Sequence, residues 1–139
     1  MSIHYKKEII SPEVLQELYP LTPEQVKLKE ERDAQIKAVM TGESDKFLVI
    51  IGPCSADHED SVCEYTTRLA KVQEQVADKI IIIPRIYTNK PRTTGEGYKG
   101  IVHQPNPEKA EDFMEGLIAM RKMHLRSISE TGLFAADEM

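Results

Sequence analysis

Two short stretches hold side chains that could do chemistry. Phe47-Leu-Val-Ile-Ile-Gly-Pro-Cys-Ser55 places a cysteine directly after an apolar run. Lys79-Ile-Ile-Ile-Ile-Pro84 leads into Arg85, with Lys90-Pro-Arg-Thr-Thr94 and the glycine-rich Gly95-Glu-Gly-Tyr-Lys-Gly100 close behind. A thiolate is a soft ligand for a divalent metal. Arg85, Lys90 and Arg92 put three cations within eight residues, a spacing suited to a phosphorylated anion. Glycines there let backbone N–H groups approach an anion, and Thr93 and Thr94 add hydroxyl donors. The pairing suggests a site for an anionic, phosphorylated substrate beside a divalent metal.

Each of these residues also has an ordinary structural reading. Free cysteine is commonly a small buried residue, and no Cys-x-x-Cys or His-x-x-x-His spacing accompanies Cys54. His58 reads as a solvated residue at a helix start. Three cations on a surface loop are common, but Arg85 follows a buried strand and the loop contains proline and glycine, which favours a built anion site. Tyr98 and Lys99 suit a structural role equally well. His124 falls on an apolar helical stripe and reads as a satisfied core histidine. Cys63 is given no role, and Glu138 stands where strand ends place functional groups.

The elements that must position these residues follow from periodicity. Phe47 to Ile51 is a run of five apolar residues, as in a strand buried on both faces of a parallel sheet. Gly52 and Pro53 end it, so Cys54 is expected at the carboxyl end of a central strand. Lys79–Pro84 is a second strand. Ser11-Pro12 can open a short helix, and Thr22-Pro-Glu-Gln25 carries the signs of a capping box leading into a charged helix that runs to about Thr41-Gly42. Ser55 or Asp57 is expected to cap a helix through about Val76, with Val62, Tyr65, Leu69, Val72 and Val76 on its buried stripe. Asn106-Pro107 is expected to open a third helix burying Phe113, Leu117, Met120, His124 and Ile128, closed by Thr131-Gly132. Leu133-Phe-Ala-Ala-Asp137 begins a third strand. Strand, helix, strand, helix, strand predicts parallel pairing. The abrupt end on a strand suggests a fold completed by another chain, or part of a longer protein.

Composition narrows the field. With 139 residues, 40% hydrophobic and 29% charged, the chain is long enough for one globular core. A net charge of −5 argues against a general nucleic-acid binder. No apolar run approaches a membrane span, and the first residues lack the apolar core of a signal peptide, so a cytoplasmic protein without membrane contact is expected.

Ile51-Gly-Pro-Cys-Ser55, Pro84-Arg-Ile-Tyr, Lys90-Pro-Arg-Thr-Thr94 and Tyr98-Lys-Gly100, in this order, resemble the type I 3-deoxy-D-arabino-heptulosonate 7-phosphate (DAHP) synthases, from about residue 10 to the end of the chain. The resemblance implies an N-terminal extension over residues 1–45, with oligomer or regulatory contacts. Residues 46–139 would then be the first three βα units of a (β/α)8 TIM barrel, left incomplete in this chain. It implies condensation of phosphoenolpyruvate with erythrose 4-phosphate, the first step of the shikimate pathway, with a divalent metal of the Mn, Fe, Zn or Co type. By resemblance Cys54 is a metal ligand, and Arg85 and Lys90 hold phosphoenolpyruvate, with Lys90 also near the aldehyde. Arg92 and Thr93 hold erythrose 4-phosphate, Pro91 sits among these contacts, and Glu138 lines the phosphoenolpyruvate pocket. A homo-oligomer is expected. The family's remaining metal ligands and later phosphate contacts lie on strands beyond this chain, so a second expectation stands beside the first: a truncated, non-catalytic chain that self-associates or only binds phosphate-bearing ligands.

Overall fold

The computed structural model describes residues 7–90, 92 and 95–138, with Glu138 described by its backbone alone. The elements run α1 (Pro12–Leu18), α2 (Pro23–Met40), β1 (Phe47–Ile51), α3 (Glu59–Val76), β2 (Ile80–Tyr87), α4 (Phe113–Thr131) and β3 (Ala136–Glu138). The three strands form one parallel sheet in the order β1-β2-β3, with Phe47 opposite Ile80, Ile51 opposite Pro84 and Tyr87 opposite Glu138. Among the described residues no helix is long and apolar enough to cross a membrane.

The helix starts are set by side chains that satisfy free N–H groups. Ser11 Oγ accepts from the Val14 amide at 3.3 Å. In the capping box of α2, Gln25 N donates to Thr22 Oγ1 at 3.2 Å and Thr22 N donates to Gln25 Oε1 at 2.9 Å. None of the α2 residues is buried. It docks by its first turn, where the Gln25 amide donates to Ser129 Oγ at 2.9 Å.

β1 is not buried on both faces. Phe47, Ile50 and Ile51 keep 73%, 59% and 42% of their surface exposed. Among the described strands β1 lies at the sheet edge and β2 is central, so only β2 shows the deep burial expected of both. β2 also runs three residues past the expected end. Proline's fixed φ is compatible with extended backbone, and pairing with β3 from Arg85 to Tyr87 carries the strand beyond Pro84.

α3 starts at Glu59, with His58 at the cap position and no side-chain cap; Asp57 instead accepts from the His58 amide at 2.9 Å. Its buried residues are Val62, Cys63, Thr66 and Gln73, while Val72 is exposed. The buried face is therefore turned from the apolar stripe because two polar side chains on it are fully partnered. Thr66 Oγ1 donates to Cys63 O at 3.1 Å and accepts from Ser127 Oγ at 3.1 Å. Gln73 donates to Ile80 O at 2.9 Å and accepts from the Ile82 amide at 2.6 Å, tying the helix to β2.

α4 opens at Phe113, not at Asn106-Pro107. Asp112 caps it, its carboxylate accepting from the Met114 and Glu115 amides at 3.0 and 3.1 Å. Asn106 instead closes a turn by accepting from the Glu108 amide at 2.9 Å. The buried face is Gly116, Met123 and Ser127, and Phe113 is exposed. Gly116 is there because a Cβ would fall 1.9 Å from Val102 O. Gly132 ends the helix in the left-handed region at φ 67°. The core gathers Ala56, Val62, Ile86, Ile101 and Met123. Arg126 of α4 clamps α3 through Glu59 and Asp60 at 3.0 and 2.6 Å, and is held within its own helix by Glu130 at 2.7 Å.

Candidate functional site

The carboxyl ends of β1 and β2 bring the motif residues together. Beyond Ile51 the chain crosses the end of β2 so closely that a Cβ on Gly52 would sit 1.6 Å from Arg85 O. Only glycine permits that passage, and it swings Pro53 and Cys54 over the cationic strand end. Arg85 Nη2 donates to Pro53 O at 3.1 Å. Its guanidinium carbon lies 5.1 Å from the Tyr87 ring centroid, and Lys90 Nζ lies 5.9 Å from the same ring. Tyr87 thus serves as a platform for two cations.

Lys90 Nζ stands 2.8 Å from Cys54 Sγ and 3.5 Å from Cys54 O. Cys54 is exposed, and its thiol is held below the usual range, first by the hydrogen bond from Lys90, then by the charge of Lys90, with smaller help from Arg85 and Arg92. This is the setting in which a cysteine becomes a thiolate and a ligand. Cys63 shows the opposite case: burial pushes its thiol up to about 11.

The loop after β2 is fastened by its own backbone. Ala56 N donates to Tyr87 O at 2.9 Å, Ile101 N to Ala56 O at 3.2 Å, and Lys90 N to Lys99 O at 2.8 Å. Gly100 has φ 98° and approaches Thr88 O so closely that a Cβ would meet it at 2.1 Å. Arg92 Nε donates to Tyr98 O at 2.9 Å, and Asn89 Oδ1 lies 3.0 Å from His103 Nε2. Burial and the charge of Asp57 push Tyr98 up to about 12, which suits a structural phenol.

Of the residues singled out in the sequence, Cys54, Arg85 and Lys90 converge, and Arg92 sits on the same loop. Arg85 lies within β2 instead of after it. Pro91 and Thr93, with Thr94, lie outside the described residues, as does the Glu138 side chain; its backbone closes β3 opposite Tyr87. His124 is partnered, facing Asp137 at 2.8 Å. Tyr87 was missed as a site residue, although two residues on from Arg85 in a strand means the same face. Among the described residues no group of three or more His, Cys, Asp or Glu side chains could hold a metal ion. Cys54, exposed and inclined to ionise, fits as one ligand. A cavity of about 420 Å³ lies at the opposite end of the strands, lined by Leu28, Arg32, Gln73, Ile80 and Leu133 among others. None of the motif residues lines it.

Residues 19–136 match the family model described as the DAHP synthetase I family. The chain is 36% identical over 132 residues to the Phe-sensitive phospho-2-dehydro-3-deoxyheptonate aldolase of Escherichia coli K12, covering 95% of this chain and 37% of that protein. It is 34% identical over 131 residues to the phospho-2-dehydro-3-deoxyheptonate aldolase of Haemophilus influenzae, covering 94% of this chain and 36% of that one. The solved structure of the aldolase of that name from Francisella tularensis SCHU S4 superposes with a TM-score of 0.85 at 29% identity, over 99% of this chain and 40% of that chain. The chain therefore spans just over a third of the length of the curated relatives it matches. It belongs to the DAHP synthetase I family.

Proposed function

We propose that this chain supplies the phosphoenolpyruvate-binding end of a DAHP synthase. The reaction joins C3 of phosphoenolpyruvate to the aldehyde carbon of erythrose 4-phosphate; water adds at C2, phosphate leaves, and the aldehyde oxygen takes up a proton. The observation that carries this reading is the 2.8 Å contact between Lys90 Nζ and Cys54 Sγ, with Arg85 stacked on the ring that also faces Lys90.

In this reading Arg85 and Lys90 pair with the phosphate and carboxylate of phosphoenolpyruvate, since both are cations on one aromatic platform. Lys90 would also hold a proton at the aldehyde oxygen, the role the family resemblance gives it. Arg92 and Thr93, joined through Pro91, receive the phosphate of erythrose 4-phosphate. Glu138, at the end of β3, lines the phosphoenolpyruvate pocket. Cys54 is one ligand of a divalent metal, with further ligands from residues outside this chain; such a metal, when bound, polarises the aldehyde. The parallel order β1-β2-β3 with helical crossovers supports residues 46–139 as the first three units of a (β/α)8 barrel, and residues 1–45 as an N-terminal extension. The apolar residues exposed on β1 support self-association.

Calorimetric titration of the 139-residue chain with phosphoenolpyruvate tests the reading. Saturable binding lost in both Arg85→Ala and Lys90→Ala is expected. No binding by folded protein, or binding indifferent to both substitutions, overturns it.

A further inference from the structure

Thr88 is the first residue beyond β2 and the root of the loop that carries Lys90 and Arg92. It is fully buried, and both its donors reach one carboxylate oxygen: Oγ1 lies 2.8 Å and the amide N 3.3 Å from Asp137 Oδ1. The other oxygen, Oδ2, meets His124 Nε2 at 2.8 Å. An ionised carboxylate offers only lone pairs, so Nε2 carries the proton and donates. One chain of bonds therefore joins α4, β3 and the end of β2. The Asp137 side chain keeps only 20% of its surface exposed, so solvent competes weakly for it.

The root is also held from its other side. Thr88 O accepts from the Val102 amide at 3.2 Å, and Gly100 packs against the same carbonyl. Two residues further on, Lys90 must arrive within hydrogen-bond reach of Cys54. The backbone that delivers it is itself fastened, the Lys90 amide donating to Lys99 O at 2.8 Å. A threonine hydroxyl needs only one acceptor to be satisfied, yet here hydroxyl and amide share an acceptor that a histidine orients. That redundancy fixes direction as well as satisfying a buried donor.

Building on the anion-binding reading of Lys90 and Arg92, we propose that Asp137, oriented by His124, is a positioning residue that holds Thr88 and so aims the loop bringing Lys90 to Cys54. Neither Asp137 nor His124 needs to touch substrate.

Amide hydrogen exchange on the 139-residue chain tests the proposal directly. The reporters are the Lys90 amide, bonded to Lys99 O, and the Val102 amide, bonded to Thr88 O. The references are the Phe47 amide, bonded to Lys79 O, and the Ile82 amide, bonded to Gln73. In Thr88→Val and Asp137→Ala both reporters should exchange about ten-fold faster, the loss expected for a buried hydrogen bond, while the references keep their rates. Thr88→Ser, which keeps the hydroxyl, should exchange as the parent does; if Asp137→Ala does not fold, the Val and Ser pair decides. Unchanged reporters in Thr88→Val overturn the proposal. So does acceleration of reporters and references alike, because that marks general destabilisation. Affinity for inorganic phosphate should fall in the same variants. If the reporters respond but the parent chain binds no phosphate, the positioning stands and the anion-site reading fails instead.

Discussion

The ammonium of Lys90 lies 2.8 Å from the sulfur of Cys54, joining the segments that follow two adjacent strands. Because the hydrogen bond and charge of Lys90 favour the thiolate, Cys54 has a depressed pKa in the folded chain. The stabilisation this carries is present above the ordinary thiol pKa and is lost as pH falls through the depressed one. Alkylation by iodoacetamide should therefore persist to lower pH than for an ordinary cysteine. Lys90→Met should move the midpoint up, and Arg92→Ala should move it less. Mass spectrometry resolved by peptide separates Cys54 from Cys63, whose buried thiol should react slowly throughout. An identical midpoint in Lys90→Met would remove Lys90 as the cause.

Gly52 is a second point of tight tolerance. A methyl group there would meet Arg85 O at 1.6 Å, and backbone cannot yield as a flexible side chain does. Gly52→Ala should destabilise the chain by about 3 kcal/mol, at the upper end of the range for overpacking. It should also displace Cys54 from Lys90. Urea denaturation reads the first effect, and return of the Cys54 alkylation profile to the ordinary thiol range reads the second.

The turned face of α3 gives a contrasting pair. Gln73 satisfies two backbone groups of β2, so Gln73→Leu leaves them unpaired and should lower stability by about 2 kcal/mol. Val72, one residue earlier and 44% exposed, should tolerate alanine within about 0.5 kcal/mol. Thermal unfolding of both variants checks the assignment. The reverse ranking would restore the apolar stripe read from periodicity.

That example shows where sequence reasoning held and where it did not. The strands, their parallel order, the capping box at Thr22 and the closing Gly132 were legible because each rests on local chemistry. Cys54, Arg85 and Lys90 were legible as a group because strand ends and motif spacing place them together. The buried faces were not, since Thr66, Gln73 and Ser127 are satisfied in the core by hydrogen bonds to partners outside their own helix, which periodicity cannot register. The start of α4 was misplaced because Asn106-Pro107 serves a turn as readily as a helix. The exposure of β1 followed from what pairs with it, which no local pattern encodes.

The open side of β1 makes a prediction of its own. Phe47 and Ile50 present apolar surface at the sheet edge, a template for association. Sedimentation of the 139-residue chain should show concentration-dependent association, and Ile50→Lys should weaken it through a charge on that face. A monomer at all concentrations would argue that the surface is inert.

Each strand in this sheet pairs with the strand next to it in the chain. Growth from the N-terminus can thus add these strands in order, each pairing only after its helical crossover has been made, as Phe47 waits for Ile80 and Arg85 for Ala136. Cys54, Arg85 and Lys90 depend on the first two strands and can be brought together as soon as those emerge. Asp137 comes last, on the third strand, and its arrival would convert a loosely assembled pair of strand ends into a fixed one. Order of synthesis and order of refinement of the site then coincide: composition of the charges first, accuracy of their placement afterwards.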